Sequence, residues 1–171
     1  MSNPSIKYGV YGSIAIILLD LLLSLISPTI YITWASWVSL LIIIPSMYMV
    51  SKEFLESNDG LGTLGELFKA NWLSYLIMGL ITTVFGYILV TYISPEITEI
   101  ATEKAMEAIE MMRGFMGEEA ADKAISDIEG RNPYGMGSQL GGLIFKYAMA
   151  AVPAVIIAAL HSFLEIAKSS L

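Results

Sequence analysis

Four ionisable residues, Asp20, Lys146, His161 and Glu165, fall inside or beside long apolar stretches of this sequence. A charge at mid-bilayer costs about 2.5–3.5 kcal/mol on insertion scales, so each needs a partner, water or the headgroups. Asp20 lies about six residues before the end of its run, and Lys146 about six residues into the last one. If the chain crosses four times, both sit roughly 9 Å below the same boundary at 1.5 Å per residue. An ion pair joining the first and last helices is one reading. The other has Lys146 snorkelling to the headgroups while Asp20 meets a hydroxyl or water. His161 and Glu165, one turn apart near the opposite boundary, either relay protons or make an interfacial hydrogen bond. No nucleophile stands beside a base, so no catalytic residue is expected. With no cysteine and one histidine, no zinc site, thiolate chemistry or cofactor is expected either.

The elements that must position these groups follow from the apolar runs. The chain has 171 residues, enough for a single domain, with 56% hydrophobic and 15% charged residues. Mean hydropathy is +0.68. A soluble domain carries about 25% charged residues, so this surface cannot face water all round. Four segments reach the roughly 20 apolar residues a crossing needs: about 8–26, 30–50, 71–92 and 140–164. Ser27-Pro28-Thr29 separates the first two so briefly that they must form an antiparallel hairpin. Pro45 and Pro153 fall inside the second and fourth spans as expected bends. Trp34, Trp37 and Tyr48 suit the two interfaces of the second. A polar loop is expected over 51–62, and Thr63-Leu64-Gly65-Glu66 reads as a capping box opening the third helix. Leu64, Leu67 and Phe68 would then lie in the interface.

Between the third and fourth spans lies a charged region of different character. Ten of the sixteen acidic residues fall within 96–129. Ser94-Pro95-Glu96 reads as a helix start, with Ser94 as N-cap. Ile97, Ile100, Ala101, Ala105, Ala108, Ile109 and Met112 form an apolar stripe, opposite Glu99, Glu103, Glu107 and Glu110. Gly114 and Gly117 are expected to break this helix. A second follows over about 118–128 with Glu119 and Lys123 paired at i,i+4. The expected architecture is therefore all-α and integral to the membrane. Four transmembrane helices form two antiparallel hairpins, with an acidic amphipathic helical hairpin at about 95–129. That hairpin either covers the membrane surface or the mouths of the spans, or docks a protein partner through Met106, Met111, Met112 and Met116. The net charge of −7 argues against nucleic acid.

Small residues supply the expected packing. Ser138, Gly142, Lys146, Ala150, Ala154, Ala158 and Ser162 recur every fourth position, and Gly137 and Gly141 add a G-x-x-x-G. Gly79, Thr82, Thr83 and Gly86 offer a matching row on the third span. Packing within the chain is the first reading of these rows and a homo-oligomer seam the second. Lys7 facing a neutral first turn favours cytoplasmic termini and an outward hairpin.

Three segments carry a resemblance. They are Asn3-Pro4 with Lys7-Tyr8-Gly9, the run Asp59-Gly60-Leu61-Gly62-Thr63-Leu64-Gly65-Glu66-Leu67-Phe68-Lys69, and Tyr92-Ile93-Ser94-Pro95-Glu96 leading into a Met- and Glu-rich helical hairpin. Over nearly its whole length the chain resembles small four-span bacterial membrane proteins, mostly from Bacteroidota, catalogued as domain of unknown function 4199. It departs from them in a less basic segment after the second span. The resemblance implies a bacterial inner-membrane protein and brings no catalytic residues with it. The leading expectation is a non-enzymatic accessory or scaffold subunit of a cell-envelope complex. The alternative is a small oligomeric transporter or channel using Asp20, Lys146 and His161. A membrane enzyme acting on lipid-linked substrates has little in its favour.

Overall fold

The computed structural model describes residues 3–129, 147–148 and 151–160. Among them the chain is helical throughout. Helix α1 spans Pro4–Ile26, α2 Pro28–Glu56 and α3 Leu64–Ile88, which continues through one π turn at Leu89–Ile93. Helices α4, Glu96–Met116, and α5, Glu118–Glu129, make the hairpin. A short apolar helix, α6, covers Ala151–Leu160. Among the described residues three helices are long and apolar enough to cross a membrane: Pro4–Ile26, Pro28–Glu56 and Leu64–Ile93. The expected fourth span at 140–164 falls largely outside the described residues. Within that segment Ala151–Leu160 is helical and apolar.

A single residue joins α1 to α2. Ser27 is extended, its N–H donates to the Leu23 carbonyl at 3.0 Å, and Pro28 opens the next helix. The pair is antiparallel, because Lys7 at the start of α1 meets Glu53 near the end of α2 at 2.6 Å. Lys7 also stands 4.9 Å from the centroid of the Tyr8 ring. Helix α3 returns parallel to α1. Its Ser74 and Ile77 lie beside Gly9, and its Met78 beside Gly12.

The face that α1 turns inward inverts the usual soluble pattern, while apolar clusters around Met47, Leu67 and Leu89 fill the bundle elsewhere. The buried face of α1 is Ser5, Gly9, Gly12, Ser13, Ile16, Asp20 and Ser24, while Tyr11, Ile14, Leu18, Leu22 and Leu25 are exposed. Lipid-facing helices need no apolar interior, and small residues let backbones approach. A Cβ at Gly9 would stand 3.0 Å from both the Ser74 carbonyl and the Ile77 side chain. Two buried hydroxyls of α1 find acceptors on their own helix: Ser13 Oγ donates to the Gly9 carbonyl at 2.6 Å, and Ser24 Oγ to that of Leu21 at 2.9 Å. Asn71 Nδ2 donates to Ser51 Oγ at 2.8 Å, tying α3 to α2.

Several expected boundaries shift. Helix α2 does not end near residue 50 but runs to Glu56, because Ser51 is buried and Glu53 is engaged by Lys7. The turn is confined to the residues after it, where Asp59 and Gly60 take positive φ of 54° and 78°. The capping box is present, with Glu66 N–H to Thr63 Oγ1 at 3.3 Å and Thr63 N–H to Glu66 Oε2 at 2.9 Å. Leu67 is not interfacial; it is fully buried against Leu55 and Ala158, with Phe68 packed alongside. Helix α4 begins at Glu96 with Pro95 in the cap position, so Ser94 is not its N-cap. Instead, Ser94 closes the π turn by donating its N–H to the Leu89 carbonyl at 2.7 Å. Gly114 stays helical, and Gly117, with φ of 85°, alone breaks α4 from α5.

Candidate functional site

Helices α1, α2 and α3 enclose a cavity of about 340 Å³ around Asp20. Asp20 is on the inward stripe of α1, one turn beyond Ile16, and only 8% exposed. Tyr31, Ser36 and Ser39 of α2 face it, with Tyr75, Thr82 and Thr83 of α3. Ser39 Oγ donates to the Ala35 carbonyl at 2.7 Å, and Thr82 Oγ1 to that of Met78 at 2.8 Å. Each hydroxyl thereby spends its proton on its own helix and keeps lone pairs to offer the cavity. The wall mixes these hydroxyls and one carboxylate with apolar side chains, among them Ile16, Ile32, Leu40, Ile43 and Met78. Such a lining suits water, a cation or a small polar solute inside the membrane. Among the described residues no group of three or more His, Asp or Glu could hold a metal ion.

Tyr147 borders this region. Its hydroxyl donates to the Leu76 carbonyl at 3.2 Å, and its ring meets Tyr75 edge-on, with centroids 6.3 Å apart. Gly79 makes room for that ring, since a Cβ there would lie 2.8 Å from Tyr147 Cε1. Gly86 belongs to the cavity wall, and a Cβ there would touch nothing. Ala154 packs in a cluster with Met47 and Ile157, while Ala158 packs with Leu55 and Leu67. The small residues of the last segment thus meet the distal half of α2 as well as α3. Lys146, His161, Glu165, Gly137, Gly141, Gly142 and Ala150 lie outside the described residues. The contact expected between Asp20 and Lys146 falls there too.

A second, wider cleft of about 740 Å³ opens at the far end of the bundle, between the start of α1, the end of α2 and the start of α3. Glu53, Glu56, Glu66 and Lys69 rim it, with Phe54 and Leu73 as apolar wall. The sequence reading missed this cleft, having taken residues 51–62 for a loop.

A family model described as a protein of unknown function (DUF4199) matches residues 7–162. The chain belongs to the DUF4199 family. The match takes in the three long apolar helices, the acidic hairpin and most of the last apolar segment. No curated protein and no solved structure matches this chain.

The DUF4199 hairpin is built on three faces of α4. One face rests on the bundle end: Ile97 is fully buried with Leu89 and Val90, against Leu21, Tyr31, Ile32 and Phe85. Lys104 Nζ then meets Thr33 Oγ1 at 3.1 Å. A second face takes α5, whose Ala121 is fully buried. Arg113 locks the two helices, with Nη1 on Asp122 at 2.7 Å and Nη2 on Glu110 at 2.8 Å. The Arg113 guanidinium holds the Glu110 carboxyl below the usual carboxylate range. Glu110 and Asp122 in turn hold Arg113 more firmly protonated. The i,i+4 pair expected between Glu119 and Lys123 within α5 is not among the ion pairs of the described residues; the charged contact of α5 is Asp122 with Arg113. The third face carries Glu99, Glu103 and Glu107, open to solvent, with Glu110 at its end held by Arg113. Phe115, which the sequence reading passed over, is 98% exposed. It lies eighteen residues from Ile97, five full turns, so continuing the apolar stripe beyond Met112 would have found it.

Proposed function

We propose that this DUF4199 protein is a four-span bacterial inner-membrane protein with cytoplasmic termini. It serves as a non-enzymatic accessory or scaffold subunit of a cell-envelope complex. The acidic face of α4 is presented to a protein partner with a basic surface. One observation carries this reading: α4 is held rigidly on two sides, by the bundle and by α5, while its carboxylate row is left open. A fixed helix with one unoccupied charged face costs little to order on binding. Residues 140–164 supply the fourth crossing, and small residues at Ala154 and Ala158 allow its close approach.

The test is a photo-crosslinker placed at Glu103 in living cells. A discrete adduct with another membrane or envelope protein is expected, and reversing Glu99, Glu103 and Glu107 to lysine should abolish copurification of that partner. Recovery of this chain alone from both crosslinking and mild-detergent purification would reject the scaffold reading. Labelling of a cysteine at Glu107 from the outer face tests the orientation.

The cavity around Asp20 favours a second reading, a small oligomeric transporter or channel in which Asp20 contacts the permeating species, with Lys146 and His161 further along the path. Proteoliposomes of the purified chain should then show ion or solute flux that Asp20→Asn removes. Flux indifferent to that substitution would dispose of this alternative.

A further inference from the structure

The face of α4 that rests on the bundle does not end where the bundle ends. Ile97, Ala101, Lys104, Ala108, Met111 and Phe115 follow at offsets of 4, 7, 11, 14 and 18 residues. At roughly 100° per residue these return to within about 40° of one direction. The first of them is fully buried, and Lys104 touches Thr33. Met111 is 81% exposed and Phe115 98%. One continuous face is covered by protein at its start and exposed at its far end.

Where that end points follows from the two contacts. Ile97 and Lys104 lie about 10 Å apart along α4, yet the cluster that buries Ile97 packs against Tyr31 and Ile32 of α2, and Lys104 meets the adjacent Thr33. A helix running straight out into water would have left α2 behind by Lys104. Helix α4 therefore crosses the end of the bundle. Phe115, roughly 16 Å beyond Lys104, overhangs the bundle at that level. Trp34 and Trp37, both exposed on α2 beside Thr33, mark that level as the membrane interface.

We propose that the distal part of α4 is an interfacial anchor. Met111, Met112 and Phe115 seat in the lipid headgroup region next to the bundle, on the side of the α1–α2 turn. The occupant is zwitterionic lipid, because ten carboxylates against three bases give residues 96–129 a net charge of −7. Apolar burial drives the contact, and anionic headgroups oppose it. The anchored face lies opposite the carboxylate row, so anchoring turns that row toward water.

The chain has no cysteine, which allows single spin labels on the full-length protein. Phe115→Cys, Met111→Cys and Glu103→Cys are labelled and reconstituted into vesicles of zwitterionic phospholipid. Collisions with oxygen, relative to an aqueous nickel complex, should be several-fold more frequent at 115 and 111 than at 103. Adding anionic lipid should reduce that ratio at 115. The Met111 label keeps Phe115 in place, so it reports even if replacing Phe115 detaches the tip. Equal nickel access at all three positions would overturn the anchor. So would a label at 115 and 111 that neither reagent reaches, which would mean a second copy covers the patch. A ratio that rises with anionic lipid would overturn the choice of lipid. Only this chain is present, so the result is independent of any protein partner.

Discussion

The seam between α1 and α3 and the hairpin of α4 and α5 solve opposite problems. The seam lies within lipid-exposed helices, closes over glycine and serine, and turns its large apolar side chains outward. The hairpin closes over alanine and an arginine network, turns its carboxylates outward, and leaves its largest apolar side chains uncovered at one end. In the first region, space is the constraint and charge is nearly absent. In the second, space is abundant and charge does the joining. The two should answer very differently to the same kind of substitution.

Adding bulk separates them most. Gly9→Leu drives a side chain against the Ser74 carbonyl and the β-branched Ile77, and should cost about 3 kcal/mol, the upper end for overpacking. Thermal unfolding in mild detergent measures it; an unchanged midpoint would mean α1 and α3 are not pressed together. Asn71→Ala removes the hydrogen bond to Ser51 and should cost about 1–2 kcal/mol by the same assay. Gly114→Ala should do the reverse. It sits in the interior of α4 with open space around its Cβ, and alanine there should stabilise by about 0.5–1 kcal/mol. A loss of stability at this position would show that something covers that face.

The smallest effect sharpens the comparison through pH. Glu110 is held below its ordinary value by Arg113, so its contribution is complete above the unfolded carboxylate range. That contribution fades as pH falls through the lowered value. Glu110 and Arg113 are three residues apart on α4, so a spin label in the last turn of α4 should keep its order from neutral to alkaline pH and loosen only in acid. Glu110→Gln should remove the part of that loosening due to Glu110. High salt should mimic it weakly, since these groups face water.

Much of the fold was legible because the apolar runs, the Thr63–Glu66 capping box and the acidic helical stripe are local signals. The misreadings came from tertiary contacts. Lys52, Glu53 and Glu56 look like a loop by composition, yet Lys7, 46 residues away, pairs with Glu53 and lets α2 continue. Leu67 looked interfacial because nothing local reveals the approach of Leu55 and Ala158. Gly114 looked like a breaker because glycine permits a break without requiring one; the positive φ belongs to Gly117. Asp20 stood out as a lone carboxylate, but the hydroxyls facing it come from two other helices whose mutual rotation no single segment specifies.

The one-residue joint at Ser27 constrains biogenesis. Neither α1 nor α2 can leave the insertion machinery and diffuse off before the other emerges, so the pair must enter the bilayer as a unit. For α1 this matters, since alone it would show lipid an aspartate and a ladder of serines. A released fragment ending after residue 26 would thus offer that face to lipid, whereas one ending after Glu56 would carry α2 to pack beside it.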